Sequence, residues 1–463
     1  MKKTPTILFV IRSVGQMHHY KSIAYALARR GYKLQLLFDK RWSKGDTLEP
    51  VETLIKQFPN VSWKWAISRT DWWRKVLFYF REIRSFRRYL IVTREKQQST
   101  FYRDRYEGYL PKSFQRILKI PFMRNIVASR FFGDVLMFVE WLVPSYRPIV
   151  EHVQRFKPDI VIAGPTNLRF SSADLEYLKA ASRLHIKTAV PVVSWDNLTT
   201  KGFLHIWPDV LLSWNEVQRE EARVHQFFPP SRVRIIGAPI FDWTFDAKLS
   251  RSREDFCCEF GLNSEYPILL YLGSSSNMAE DETWLVCTLR ETLNKADDAR
   301  VKNVQIVVRP HPANYGIYEK LQMPGIFVVP KKGSLPDVPE ASKLFFDSVY
   351  HAIAVVIGAN TTAVIDSTVL GKPAVAYLND KYRKTQAETT HFQQLLDANI
   401  FELVKTPQEF LKSISLFIDG KDPHEKERQA YLKRYIRPYG METPAGEIAA
   451  REVDRMLENG NMV

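Results

Sequence analysis

Cysteine is nearly missing from this chain. Three residues in 463, Cys257, Cys258 and Cys287, leave no metal-ligand spacing and no disulfide framework, which suits a reducing cytosol. Nor is there a run of the ~20 apolar residues that a membrane span requires. The longest candidate, Phe131 to Pro144, is interrupted by Asp134 and Glu140. The N-terminal MKKTPTILFVIR places basic residues before an apolar run of only about five, short of a secretory core. The dinucleotide fingerprint G-x-G-x-x-G is absent from the first strand–turn–helix. No Asp-x-Asp stands at a strand end, so no metal and no resident cofactor are expected. These absences exclude a disulfide scaffold and a spanning protein. They lead to the expectation of a cytoplasmic chain, at most peripheral on the inner face of the cell membrane.

What is present is the composition of a globular protein, 45% hydrophobic and 25% charged, long enough for two or three domains. The formal charge of +15 is uneven. Between Trp63 and Arg147 stand 18 Lys and Arg against 7 Asp and Glu, a local excess of +11, and aromatics crowd the same stretch. Basic plus aromatic suits an anionic membrane surface, a nucleic acid or a charged acceptor.

The organising pattern is α/β. Residues 6–11 read as a buried strand, His18 to Arg30 as a helix ended by Gly31, and Lys33 to Phe38 as a second strand. Residues 70–147 interrupt the rhythm. Apolar positions 73, 76, 77, 80, 83, 86 and 90 keep helical spacing, with Arg81, Arg84 and Arg88 on another, solvated face. A second apolar helix covers about Ile126 to Leu142. The αβ alternation resumes at Asp159–Ala163, Thr188–Val193, Val210–Trp214 and Val233–Ile236. Residues 242–265 read as a linker with one short helix. A second αβ series follows: Ile268–Leu272, a helix over Asp281–Ala296, Val304–Val308, Phe327–Val329, and then VVIGANTTAVIDSTVLGKPAVAY from Val355 to Tyr377. Gly440 to Leu457 is a last helix.

Candidate chemistry collects where strands end. His18 and His19 open the first helix, where an imidazole suits a general base. The loop Ser194–Gly202 offers Asp196 as a second candidate base, Trp195 to stack on a sugar, and Asn197 and Thr199 to hydrogen-bond one. Asp196 reads equally as an Asx turn holding the loop. Gly273-Ser274-Ser275-Ser276 is a turn suited to phosphate. Arg309-Pro310-His311-Pro312 presents a guanidinium and an imidazole on a turn that its prolines keep from starting a helix. Asn360 is read as an N-cap, which puts Thr361 and Thr362 in the first turn of a helix that could receive a phosphate. Asp366, one turn on, could accept from a ribose.

Two αβ halves of this kind resemble the GT-B glycosyltransferases, two Rossmann-like domains facing a cleft. Arg309-Pro310-His311-Pro312, Asn360–Asp366 and Leu370-Gly371-Lys372-Pro373 are most similar to the CDP-glycerol glycerophosphotransferase and capsule-polysaccharide transferase group. The likeness covers about residues 265–380 and is one of fold over the first half. The Ser194–Gly202 loop is similar to one in relatives of surface-polysaccharide transferases. The resemblance implies an N-terminal acceptor-side domain over 1–245, with a helical insertion at about 70–147. It implies a C-terminal donor-binding domain over 246–435, and a final helix, 436–463, packing back on the first domain. Gly273, Ser274, Ser275, Asn360, Thr361 and Thr362 would hold donor phosphates, assisted by Arg309 and His311. Asp366 would face the ribose, and Asp196, His18 or His19 would be the base.

The implied reaction is metal-independent transfer of a sugar or polyol phosphate. The donor would be a nucleotide-sugar or CDP-polyol, and the acceptor a cell-surface saccharide or lipid-linked molecule. Residues 72–147 could meet an anionic membrane surface. Two other readings stay open: a UDP-sugar 2-epimerase of the same fold, and a non-catalytic nucleotide- or nucleic-acid-binding relative. A nucleic acid partner is not expected, because it leaves two phosphate-suited turns unexplained.

Overall fold

The computed structural model describes residues 4–95, 98–169, 172–331 and 339–458. Lys2 and Lys3 of the basic start, and Lys96 of the basic stretch, lie outside the described residues. The chain forms two compact units. One comprises Met1–Asp242 with Lys433–Val463, and the other Trp243–Leu432.

The first unit is built on seven parallel strands: β1 (Thr6–Ile11), β2 (Lys33–Phe38), β3 (Val61–Trp65), β4 (Ile160–Gly164), β5 (Lys187–Pro191), β6 (Val210–Ser213) and β7 (Val233–Ile235). Their order is β3-β2-β1-β4-β5-β6-β7. β1 and β4 lie side by side, buried at every residue, which explains their continuous apolar runs. The order reverses between them, and in open α/β sheets ligands bind outside the carboxyl ends of strands at such a point.

The helix Ala445–Glu458 packs on the helix Met17–Arg29 of this unit. Gly446 makes the close approach, since a Cβ there would sit 2.2 Å from the Ser22 hydroxyl. Asp242 binds the pair together. It accepts from Ser22 Oγ (2.5 Å), from the Ala445 and Gly446 amides (3.0 Å each) and from Arg437 (3.1 Å).

The second unit repeats the plan with β8 (Ile268–Leu272), β9 (Gln305–Arg309), β10 (Ile326–Val328), β11 (Ala354–Ile357), β12 (Ala374–Tyr377) and β13 (Glu402–Val404). All neighbours are parallel, in the order β10-β9-β8-β11-β12-β13. Numbered from its own first strand, this is the 3-2-1-4-5-6 order with which the first sheet begins, and the reversal falls between β8 and β11.

The structure departs from the sequence reading at several places. Strands β3 and β13 were not anticipated. Their short, half-exposed patterns carry little apolar signal. Residues 242–265 hold two short helices, Asp242–Phe245 and Arg253–Phe260, rather than one. Residues 126–142 are not one helix. A break at Ser129 separates Met123–Ala128 from Arg130–Leu142, and the Ser129 hydroxyl caps the Phe132 amide at 3.2 Å.

The basic face of the helix Trp73–Arg94 is not solvated. Arg81, Arg84 and Arg88 are all buried. Arg81 grips both oxygens of Glu140 (3.0 and 2.9 Å) and one of Glu176 (2.7 Å). Lys179 completes Glu140 at 2.7 Å, and Arg69 completes Glu176 at 3.0 Å. Burial alone would push Glu140 up, but Arg81 and then Lys179 hold it well below the usual carboxylate range. Arg84 donates to the His205 carbonyl at 3.0 Å.

Removing one member of such a cluster leaves opposite charges buried without a partner. Glu140→Ala is expected to cost about 3–5 kcal/mol in urea unfolding; a loss below about 1 kcal/mol, the size of a solvated surface pair, would show that the cluster does not anchor the insertion.

Candidate functional site

In the first unit, β1 runs through Arg12 and Ser13 into a turn of 3-10 helix, Val14–Gln16, and then into the helix Met17–Arg29. This places His18 and His19 in the first helical turn at the sheet's point of reversal. Their ring centroids are 3.9 Å apart. His18 Nδ1 lies 2.7 Å from the Gly15 carbonyl, which can only accept. Nδ1 therefore carries the proton, and in the neutral ring Nε2 carries the lone pair. Burial, and then the neighbouring His18, lowers His19 well below the usual histidine value, while Asp196 acts against them. His19 is thus a neutral imidazole at pH 7. The two histidines and Asp196 belong to one electrostatic cluster.

The loop after β5 presents Asp196. Ser194 Oγ (2.6 Å), Thr200 Oγ1 (2.7 Å) and Lys201 Nζ (2.9 Å) all meet its carboxylate. The loop's shape comes from the insertion. Arg88 donates to the carbonyls of Leu198 (2.9 Å), Thr199 (3.3 Å) and Lys201, Tyr89 to Lys201 (2.7 Å), and Gln98 to Thr199 (2.7 Å). Sequence reasoning missed Arg88, Gln98 and Lys201. Arg88 and Gln98 stand about a hundred positions from the carbonyls they hold, which no local pattern shows, while Lys201 stands five from Asp196 within the loop itself.

Three proposed acceptor residues are taken up by this scaffold. Asn197 exchanges hydrogen bonds with Asn167 (2.8 and 2.7 Å) and accepts from the Val193 amide. Thr199 is fully buried, its hydroxyl on the Asp196 carbonyl at 3.3 Å. Trp195 is buried too, so its ring is not displayed for stacking on a sugar. Asn197 and Thr199 hold the loop, Trp195 is buried in it, and Asp196 is the member it presents.

In the second unit, the turns after β8, β9 and β11 gather at the second reversal. Gly273 donates its amide to the Arg309 carbonyl at 2.9 Å, tying two of these turns together. Gly358 is needed for a close approach, because a Cβ would stand 2.5 Å from Leu285 and 2.6 Å from the Tyr271 hydroxyl. The organiser here is Glu282, which sequence reasoning passed over. It is buried and accepts from the Ser274 amide (2.7 Å), Tyr271 (2.9 Å) and, at 3.4 Å, the Ser274 and Tyr318 hydroxyls. Ser274 therefore gives both its donors to Glu282, and Gly273 gives its amide to Arg309. Neither is open to a phosphate, which corrects that part of the expected cradle. Ser275 is half-buried and Ser276 exposed at the same turn.

Arg309 ends β9 with its guanidinium drawn out of water. It donates to the Ala341 carbonyl at 3.2 Å and lies 5.9 Å from the Phe345 ring centroid. Its Nη1 is buried with no partner, and no carboxylate pairs with it, among the described residues. Burial pushes its pKa down to about 10.

A 3-10 helix, Pro312–Ile317, begins directly after His311, contrary to the expectation that the prolines would prevent one. Pro312 takes the first position, where a missing N–H costs nothing. His311 is its cap. Nδ1 accepts from the Ala313 amide at 3.0 Å, so the neutral ring carries its proton on Nε2, and burial lowers its pKa.

Asn360 is not an N-cap. Its amide nitrogen is turned to Thr385, Thr389 and His391 (2.6, 3.1 and 3.2 Å), and the helix Ala363–Val369 starts two residues later than expected. Thr361 is buried and Thr362, half-buried, stands in the cap position without a side-chain hydrogen bond. Asp366 accepts from Thr244 Oγ1 at 2.8 Å. The structure thus joins Gly273, Ser274 and Arg309 directly, while Asn360 and Asp366 are each engaged elsewhere in the unit.

No family model and no curated protein sequence matches this chain. Solved structures do. The UDP-GlcNAc 2-epimerase from Neisseria meningitidis bound to UDP-GlcNAc is 10% identical, with a TM-score of 0.52 over 98% of this chain and 100% of that one. The UDP-GlcNAc 2-epimerase from Methanocaldococcus jannaschii in complex with UDP-GlcNAc and UDP is 13% identical, with a TM-score of 0.51 over 98% and 100%. A glycosyltransferase from Rickettsia africae ESF-5 is 12% identical, with a TM-score of 0.51 over 99% of each chain. At such identities the likeness is one of fold: two Rossmann-like α/β units of the GT-B kind.

Asp366 supplies a test of this local geometry. Burial raises its carboxyl from 3.8 to about 7, against the Thr244 hydrogen bond. The folded chain then binds more protons than the unfolded one between those values, so this group makes stability fall as pH rises through the window. Asp366→Asn removes the slope. The difference in unfolding free energy between the native chain and Asp366→Asn is expected to shift between about pH 5 and about pH 8, with the native chain losing ground at the higher value. Parallel profiles would show a solvated carboxylate.

Proposed function

We propose that this protein is a GT-B glycosyltransferase that moves a sugar or polyol phosphate from a nucleotide-activated donor to a hydroxyl of a saccharide or lipid-linked acceptor. Arg309 carries the reading. A guanidinium drawn from water at a strand's carboxyl end, beside a sheet's reversal, and without a carboxylate among the described residues, is in the state that a phosphate stabilises. His311, with its proton on Nε2, is suited to donate to the departing phosphate oxygen.

In this reading the first unit serves the acceptor. Asp196, oriented by Ser194, Thr200 and Lys201, takes the proton of the attacking hydroxyl, with His18 or His19 as the alternative base. The acceptor oxygen forms the new bond, the bond to the nucleotide phosphate breaks, and its electron pair leaves with the phosphate. Donor recognition through Ser275, Thr361, Thr362 and Asp366 belongs to the same proposal. So does a donor of the CDP-polyol class.

A second reading rests on the fold shared with UDP-GlcNAc 2-epimerases. It requires turnover of a nucleotide sugar with no acceptor present.

Thermal unfolding with UDP, GDP, CDP and CMP in turn tests the first step. A ligand held by the native state alone at about a hundred times its Kd adds about 2.7 kcal/mol. One of the four is expected to raise Tm for the native chain and not for Arg309→Met. Protection of neither, or of both equally, removes Arg309 from a donor site. With the protecting nucleotide's sugar as donor, His311→Ala and Asp196→Asn are each expected to lower kcat about 100-fold or more while the unfolding midpoint holds. Formation of a C2 epimer without acceptor would decide for the epimerase.

A further inference from the structure

The helix Arg130–Leu142 is built inside out. Its inward face carries Leu136 and the carboxylate Glu140, the latter paired with Arg81 and Lys179. Its outward face carries Phe131, Val135, Phe138 and Trp141, spaced along one side, with Phe131 78%, Phe138 56% and Trp141 67% exposed. An ordinary surface helix has the opposite arrangement. The pattern continues along the insertion, where Ile117, Ile120, Phe122 and Ile126 are also exposed. Singly exposed apolar residues need no account, but a contiguous set of this size marks an interaction surface.

The stretch that carries it is net basic, although Arg124 pairs with Glu107 and Arg130 lies 4.0 Å from Asp134. Residues 111–142 carry five basic side chains, Lys112, Arg116, Lys119, Arg124 and Arg130, against Asp134 and the buried Glu140. At the same place a cavity of about 420 Å³ is lined by Arg84, Arg87, Arg130, Met137 and Trp207, three cations against the single carboxylate Asp134, which stands 4.0 Å from Arg130. Arg87 donates to the Ala128 and Ser129 carbonyls, yet its Nε is buried with no partner among the described residues. Arginine forks beside apolar walls match a phosphate joined to hydrocarbon. Among the described residues no helix is long and apolar enough to cross a membrane.

We propose that this face docks on a bilayer containing anionic phospholipid. The aromatic side of Arg130–Leu142 and the apolar tips of 117–126 enter the interface, the basic rim meets the headgroups, and the arginine-lined cavity seats a lipid phosphate. The surface expected for residues 72–147 is thereby narrowed to 112–142 with Arg84 and Arg87 at the cavity, because Arg81 and Arg88 are occupied inside the protein. This docking stands apart from the donor reading and is tested without any nucleotide.

The full chain is floated with vesicles of phosphatidylcholine alone and with vesicles that also contain phosphatidylglycerol. Binding to the anionic vesicles is expected to exceed binding to the neutral ones by about tenfold or more, and to weaken in high salt. The triple variant Phe131→Ser/Phe138→Ser/Trp141→Ser is expected to lose binding while its urea midpoint stays that of the native chain. Lys112→Glu/Lys119→Glu is expected to lose only the preference for the anionic vesicles. Equal binding by native and triple-variant chains, or no vesicle binding at all, would overturn the proposal. So would light scattering that shows a native dimer broken by the triple variant, which would assign the face to a second copy.

Discussion

A guanidinium taken out of water has to be answered by oxygen, and one helix of this protein makes that demand three times. Arg81, Arg84 and Arg88 lie on the buried side of Trp73–Arg94, and each finds its oxygens on a different element. Arg81 reaches the helices bearing Glu140 and Glu176, Arg84 the His205 carbonyl, and Arg88 the carbonyls of 198–201. The desolvation cost of an unpaired cation makes these contacts close to obligatory. They lock the insertion to the first sheet, reverse the helix Arg130–Leu142 so that its aromatics face outward, and hold the loop that presents Asp196. The candidate base and the candidate membrane face thus depend on the same three side chains.

Arg309 is the counterpart in the second unit, and it differs from Arg81 and Arg88 in one respect. It too is drawn from water at the end of a strand, but among the described residues only a backbone carbonyl answers it. Arg81 is balanced by Glu140 and Glu176 and Arg88 is held by three carbonyls, whereas Arg84, like Arg309, meets one backbone carbonyl and has its pKa pushed down to about 10 by burial. Among the described residues Arg309 has capacity left over, which is the condition a ligand phosphate would satisfy. The neighbouring Gly273–Ser276 turn contrasts with it. Its first two donors are spent on Arg309 and Glu282, so the turn is held by the fold before any ligand arrives.

Much of the fold was legible. β1, β2, β4, β8 and β11 fall where apolar runs of four to six residues meet turn residues, and the Gly371-Lys372-Pro373 stop ends its helix as read. The positions of His18, His19 and Asp196 after a strand's carboxyl end were legible as well. What failed did so for a common reason. Asn360 has the right residue type for a cap, but its amide is worth more to the 385–391 segment. Asn197 and Thr199 have sugar-binding side chains, but the loop consumes them. A side chain's type is local information, and its partner is not.

The sequence by itself determined the alternation of strand and helix, the two parallel sheets, and which residues stand at the ends of strands. Those follow from burial period and turn chemistry, which act over a few neighbouring positions. Only the tertiary structure decided whether each polar side chain at those ends is spent or spare. Glu140 lies 59 residues from Arg81, and the Leu198 carbonyl 110 from Arg88. Electrostatic balance in a buried site is set by whatever the fold brings within a few ångströms, and distance along the chain carries no record of it.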